Sequence, residues 1–233
     1  MSAPTAKDRL RHLIELAQSE EPADRRTLAG ALCDLLLDWP QNYPANMREP
    51  FEALLEKAAR DVDAQTRRAL AERLAPFRAA PMTLLNELFF DAPAEAKSFI
   101  LARNAENEAA EPATNTAPAQ GDEQNLVALM RKARDDNFTR AFAKLLGVET
   151  GTATRILHEQ SGEALAVACK GAHLARSTFS TLALLNAPND DATADAKYAR
   201  LAAYDAVSQD AAERMVRFWR AHFAQNSASA RVA

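Results

Sequence analysis

The stretch GEALAVACKGAHLARSTFSTLALL, residues 162–185, decides the fold. Its apolar residues recur every three or four positions, which is the period of an α-helix that buries one side. The first stripe comprises Leu165, Ala168, Cys169 and Ala172, and the second comprises Phe179, Leu182 and Ala183. We therefore predict two successive helices, each of which needs a neighbour to cover its apolar side.

The same pattern extends outward over most of the 233 residues. We expect about thirteen helices, mostly of ~10 to 16 residues with short joints, which place consecutive helices antiparallel. Apolar residues make up 48% of the chain, enough for a core, and only six residues are glycine. The predicted fold is all-α, with stacked antiparallel helical hairpins arranged as a HEAT-like α-solenoid or a paired helical bundle.

Several polar residues stand where helices are predicted to begin or end. Predicted N-caps are Asp63, the pair Asp135–Asp136, Thr150 and Ser208, because their side chains can accept hydrogen bonds from free backbone amides. Gly147 follows a stripe and suits the left-handed residue after a helix. His173 stands at another such position, and histidine tolerates the left-handed region better than most residues.

One segment, residues 103–123, lacks helical periodicity and large apolar side chains. It holds one arginine and five acidic residues, so its net charge of −4 equals that of the whole chain. Such a composition cannot offset its ordering entropy by burial, which predicts an acidic flexible linker or insertion. The predicted organisation is an N-terminal helical block at 1–102, this linker at 103–123, a C-terminal block at 124–226 and a disordered tail at 227–233.

Two stretches resemble a known bacterial family. They are TRRALAERLAPFRAAPMTLLNELFFDAPAEAKSFIL, residues 66–101, and FAKLLGVETGTATRILHEQSGEALAVACKGAHLARSTFSTLALL, residues 142–185. Together they resemble domain-of-unknown-function family 2336, found mainly in alphaproteobacteria, over about residues 25 to 220. The resemblance implies an all-helical, HEAT-like protein with no established activity or cofactor. The resemblance therefore provides no catalytic residues that could be assigned to positions of this chain.

The motifs of common catalytic and nucleotide sites are missing from the sequence. It contains no glycine-rich phosphate loop of standard spacing, no GxSxG and no HExxH. Cys169 and His173 have the i, i+4 spacing of two metal ligands on one helix, but a site needs further ligands. The favoured interpretation is a buried thiol and a helix-capping imidazole. We accordingly expect no catalytic residue, no cofactor and no bound metal.

The last predicted helix, DAAERMVRFWRAHFA at residues 210–224, is the strongest candidate for a partner-binding element. Met215 and Val216 share its apolar side with two aromatic residues, and arginines line its other side. It could dock in a partner's groove, lie on a membrane surface or pack on its own chain, the last interpretation being favoured. The candidate partner contacts are Arg214, Arg217, Trp219, Arg220 and Phe223.

These features predict a non-enzymatic helical scaffold or regulatory protein that binds another protein, with a homodimer left open. One alternative is a nucleic-acid-binding regulator that uses a local arginine-rich strip, which the neutral remainder of the chain disfavours. The other is a small-ligand sensor with a pocket between hairpins. No apolar run reaches ~18 residues, so membrane contact is disfavoured. Two cysteines within apolar stripes and the lack of a signal peptide predict a cytoplasmic location.

Overall fold

A computed structural model describes residues 13–39, 46, 48–106, 120–132, 135–186 and 193–229, except the side chains of 120 and 222–229. This part of the chain forms thirteen helices and no strand, so the prediction of an all-α fold is confirmed. The chain divides into two compact units, unit 1 at Met1–Ile100 and unit 2 at Leu101–Ala233. The boundary falls within the sixth helix, and each unit is described by itself.

Unit 1 is built around a leucine-rich core. Its helices are α1 (13–18), α2 (Pro22–Leu37), α3 (Arg48–Arg60), α4 (Ala64–Leu74), α5 (Met82–Leu88) and the start of α6 (Ala94–Glu106). Helix α2 packs against α3 and α4, and α5 packs against the same two helices. The most deeply buried large side chains are Leu32, Leu55, Leu74, Leu84, Leu85, Leu88, Phe89 and Ile100.

Ion pairs join the helices of unit 1 at their surfaces. Arg60 of α3 pairs with Glu87 of α5 at 2.5 Å, and Arg73 of α4 pairs with Asp34 of α2. Exposed pairs of this kind contribute at most about 1 kcal/mol each. Burial of the leucine core therefore supplies most of the stabilisation, and the pairs help to set the orientation of the helices.

Unit 2 comprises the end of α6 and seven further helices. These are α7 (Gln120–Lys132), α8 (Asp136–Leu146), α9 (Thr150–His158), α10 (Glu163–Gly171), α11 (Arg176–Leu185), α12 (Ala194–Ala206) and α13 (Gln209–Ser229). Helix α10 contacts α9, α11, α12 and α13. All six residues from Ala164 to Cys169 are buried, as expected for a helix enclosed on every side.

The closest approach in unit 2 is between α10 and α13. A Cβ atom added at Gly171 would lie 2.7 Å from Cγ2 of Val216 and closer still to the carbonyl oxygen of Ala212. The backbone of α13 therefore rests directly on the last turn of α10. Gly171 is therefore required at this position, because only a residue without a Cβ fits there.

Most of the predicted helix ends are confirmed. Thr150 is the exception, because it is the first residue of α9 and the N-cap is Glu149. Asp135 caps α8 by accepting hydrogen bonds from the amides of Asn137 and Phe138, and Ser208 accepts one from Ala211. Asp63 caps α4 through the amide of Thr66, with 2.8 Å between nitrogen and oxygen. The left-handed residues stand where expected, with φ of 69° at Gly147 and 57° at His173.

The helices extend into the predicted linker from both sides. Helix α6 continues to Glu106 and α7 begins at Gln120, while residues 107–119 lie outside the described residues. Asn104 is only 3% exposed, and its amide donates to the sulfur of Met215 at 3.4 Å. A criterion based on large apolar residues overlooks such a position, because Asn104 is buried through a polar contact. Helix α13 likewise runs to Ser229, beyond the predicted end of the block at 226, and 230–233 lie outside the described residues.

The Gly171→Ala variant tests the approach of α13 to α10. The added methyl group would force the two helices apart, and overpacking of this kind costs ~1 to 3 kcal/mol or more. We expect a loss of that size in the free energy of unfolding, measured by urea denaturation followed by circular dichroism.

Gly121→Ala is the matched control within unit 2, because nothing lies within 4 Å of a Cβ added there. Alanine is the better helix former, so stability should stay the same or rise by up to ~1 kcal/mol. Equal unfolding midpoints for the two variants would contradict the close packing at Gly171.

Candidate partner-binding groove

The apolar side of α13 lies inside unit 2. Met215 and Val216 are fully buried, and Trp219 is 3% exposed. This is the side on which α13 packs against α10. The packed-helix interpretation therefore describes this helix as far as Ala221. Phe223 belongs to α13, but its side chain lies outside the described residues.

Two arginines of α13 bind the carboxyl ends of other helices in unit 2. Nη1 of Arg214 donates to the carbonyl oxygens of Asn104 and Ala105 in the last turn of α6, the second at 2.9 Å. Nε of Arg220 donates to the carbonyl oxygen of Leu146, the last residue of α8, at 2.6 Å. Terminal carbonyls lack partners within their own helix and carry partial negative charge, so a cation suits them. Burial lowers the pKa of Arg220, although its guanidinium remains charged.

These contacts agree with the favoured interpretation, in which α13 packs on its own chain, and they involve three of the five candidate partner contacts. Trp219 is a core residue, and Arg214 and Arg220 cap other helices of their own unit. Arg217 is half-buried and also has an interaction within the chain. The periodicity of an amphipathic helix shows that one side will be covered, but it does not show whether the cover is the same chain or a partner.

Two more cations of unit 2 bind carbonyl oxygens at or just beyond helix ends. Nζ of Lys170 donates to the carbonyls of Tyr204 and Val207, at 2.6 Å each, where α12 ends, and it lies 4.7 Å from the centre of the Tyr204 ring. Arg200 donates to the carbonyl of Gln160, just beyond α9. Basic side chains of unit 2 thus fix where one helix ends against another.

Cys169 and His173, the pair considered for metal binding, have separate environments. Cys169 is completely buried, and this burial raises the pKa of its thiol. The imidazole of His173 lies on α13, with Nε2 3.3 Å from a carboxylate oxygen of Glu213 and Nδ1 3.3 Å from Nε2 of Gln209. Among the described residues, no group of three or more His, Cys, Asp or Glu side chains is placed to hold a metal ion. The imidazole connects the turn after α10 to α13.

An open groove of about 530 Å³ lies between α7 and α11. Mostly small and polar side chains line it: Glu123, Gln124, Val127, Ala128 and Arg131 from α7, Ala175 just before α11, and Ser177, Thr178 and Thr181 from α11. The largest apolar side chain among them is a valine, so the two helices cannot fill the space between them. We call this space the α7–α11 groove.

Glu123 closes one end of the α7–α11 groove. One of its carboxylate oxygens accepts hydrogen bonds from the amide of Ala175 at 3.2 Å and the hydroxyl of Thr178 at 2.5 Å. These donors lie at the start of α11, where free amides favour a negative charge. The start of α7 is thereby held against the start of α11, and the groove opens beyond this contact.

Exposed apolar side chains follow the lining residues of α11, and exposed basic side chains stand at the end of α7. Leu184 and Leu185 at the end of α11 are 49% and 46% exposed. They follow Thr181 by three and four positions, which continues the groove face of α11. On α7, Arg131 and Lys132 are exposed, and neither makes an ion pair within the described part of the chain. Sequence patterns did not predict the groove. The available signal was that Leu184 and Leu185 lie outside the apolar stripe of their helix.

The structure defines a class of protein, all-α with two helical units, one of which carries an open helix–helix groove. The chain belongs to the DUF2336 family, described as an uncharacterised protein conserved in bacteria, whose model matches residues 48–217. No curated protein and no solved structure matches the chain. No described helix is long and apolar enough to cross a membrane.

Arg220→Ala tests the reassignment of α13. The variant leaves the carbonyl of Leu146 without its cation, and losing a partner of a part-buried group costs ~1 to 3 kcal/mol. We expect a fall of that size in the free energy of unfolding, measured by urea denaturation. Arg140→Ala on the exposed side of α8 is the control, with a change within ~0.5 kcal/mol. An unchanged stability of Arg220→Ala would return Arg220 to the candidate partner contacts.

Proposed function

We propose that this chain is a helical scaffold or regulatory protein that binds another protein through the α7–α11 groove. The observation that carries the proposal is the groove itself, together with the half-exposed Leu184 and Leu185, which follow the lining residue Thr181 by three and four positions on α11. Grooves between helices with exposed apolar side chains at their rim are a common docking surface for partner helices.

The chemistry of the groove supports a protein partner. Its walls carry methyl groups from Thr181, Ala128 and Val127, which a partner's apolar side chains can cover. The hydroxyl of Thr181 already donates to the carbonyl of Ser177, so covering it does not leave its donor without a partner. Apolar burial of this kind contributes ~25 cal/mol per Å² of surface removed from water. Arg131 at the rim can add specificity by pairing with an acidic group.

Two finer statements belong to the same proposal. We infer a HEAT-like layout, supported by the pairwise packing of α8 with α9, α9 with α10, α10 with α11 and α11 with α12. We also infer a cytoplasmic location, supported by Cys33 and Cys169, which are both buried free thiols. Free thiols are typical of a reducing compartment.

A small-ligand sensor is the second candidate. The α7–α11 groove has about 530 Å³, within the ~300 to 1,000 Å³ of small-molecule sites. Its open form favours a protein partner, because small-molecule sites bury most of the ligand surface. The nucleic-acid alternative stays a prediction, and nuclease treatment in the experiment below tests it.

Affinity capture from a lysate of the source bacterium tests the proposal with two neighbouring variants. Thr181→Arg places a long charged side chain in the groove, whereas Ser180→Arg places the same side chain outside it. The two residues are matched, since each hydroxyl donates to the carbonyl four residues earlier in α11. We expect a protein that wild type and Ser180→Arg retain after nuclease treatment and that Thr181→Arg loses.

Ala128→Arg and Asn125→Arg repeat the comparison on α7. Ala128 lines the groove, and Asn125 is exposed but does not line it. Capture that is equal for all four variants, or that disappears with nuclease, would contradict protein binding through the groove. Circular dichroism of each variant shows whether the fold is kept.

A further inference from the structure

We propose that the α7–α11 groove takes an amphipathic helix of the partner, with an acidic side chain of that helix paired with Arg131. This inference rests on the proposed function and specifies the chemistry of the partner segment.

The surroundings of the groove favour a helix over the other common peptide conformations. Adding a strand requires an exposed sheet edge, and the described residues contain no strand. Grooves for proline-rich segments are lined by aromatic side chains, whereas the residues that line this groove include none. Both walls are helices, so a third helix can pack its ridges into the space between them.

The α7 wall of the groove has the length of a short helix. On α11 the lining residues span four positions, from Ser177 to Thr181. On α7 they span eight positions, from Glu123 to Arg131, which is ~12 Å at 1.5 Å per residue. A partner helix with apolar residues at i, i+4 and i+7 spreads these anchors over ~10.5 Å, which fits that length.

Small residues allow this helix to approach closely. Ala128 of α7, Ala175 just before α11 and Ser177 of α11 line the groove with one or two heavy atoms each beyond the backbone. Helix axes approach to ~8 Å where the contact side chains are small. The partner can therefore seat its larger apolar residues in the groove and cover Leu184 or Leu185 at the end.

The charges at the two ends of the groove indicate where an acidic side chain of the partner helix would bind. The carboxylate of Glu123 is already bound by two donors at the start of α11, so it does not call for a cation. Arg131 is exposed at the far end of the wall, beside Lys132, and makes no ion pair within the described ranges. A guanidinium binds a carboxylate with two parallel hydrogen bonds, so Asp or Glu is the complementary residue.

A displayed library of random 20-residue peptides, panned against the full chain, tests this inference. Peptides that also bind the Thr181→Arg variant are removed by counter-selection. The affinities of synthetic copies of the enriched peptides are then measured by fluorescence anisotropy. We expect groove-dependent binders whose apolar residues follow a helical period and which carry Asp or Glu. Circular dichroism should show that they gain helix on binding.

Charge reversal then tests the pairing with Arg131. Arg131→Glu should weaken the affinity for an acidic peptide about fivefold, the upper range for an exposed ion pair. The same variant should restore binding of the peptide whose acidic residue is replaced by lysine. Lys144→Glu changes the net charge equally at an exposed position outside the groove, so it should leave both affinities unchanged.

The outcomes separate this inference from the proposed function. If the groove variants abolish capture of the native protein, but selected peptides show alternating or proline-rich patterns or prefer basic residues, the helix proposal is overturned and protein binding stands. If neither the binding of the peptides nor the capture of the native protein depends on Thr181 or Ala128, the helix proposal and the proposed function are both contradicted. A concentration-dependent dimer lost in Thr181→Arg would make a second copy of the chain the occupant and would also overturn the proposal.

Discussion

The contact of α13 with the last turn of α10 is the constraint on which unit 2 depends. Helix α10 is apolar on every side, so it is stable only when neighbouring helices enclose it. Gly171 lets the backbone of α13 approach at Ala212, and this approach buries Met215, Val216 and Trp219. Helix α13 is therefore part of the core of unit 2, in which its apolar side is buried as far as Trp219.

The position of α13 determines where its basic side chains act. With its apolar side on α10, Arg214 meets the end of α6 and Arg220 meets the end of α8. Each arginine replaces water at carbonyls that have no partner in their own helix. Among the described residues of unit 2, the α7–α11 groove is an open surface, where small side chains leave space. We therefore propose the α7–α11 groove, rather than α13, as the binding surface.

Local patterns predicted the helices and their ends, because capping and periodicity depend on residues close in sequence. Asp63, Asp135 and Ser208 are N-caps, as expected, and His173 has the left-handed conformation. The groove and the partner of α13 could not be predicted, because both depend on which helices meet in space. Asn104 shows the same limit, since its burial results from a contact with Met215, 111 residues away.

Hydrogen–deuterium exchange of the full chain tests most directly whether α13 belongs to the core while the α7–α11 groove is the binding surface. Exchange rates report the free energy of local opening, so residues 212–219 should exchange as slowly as 164–171 in α10. Adding a groove-dependent binder should slow exchange in α7 and α11 and leave α13 unchanged. Rapid exchange in α13 that becomes slow only when the binder is added would contradict this account.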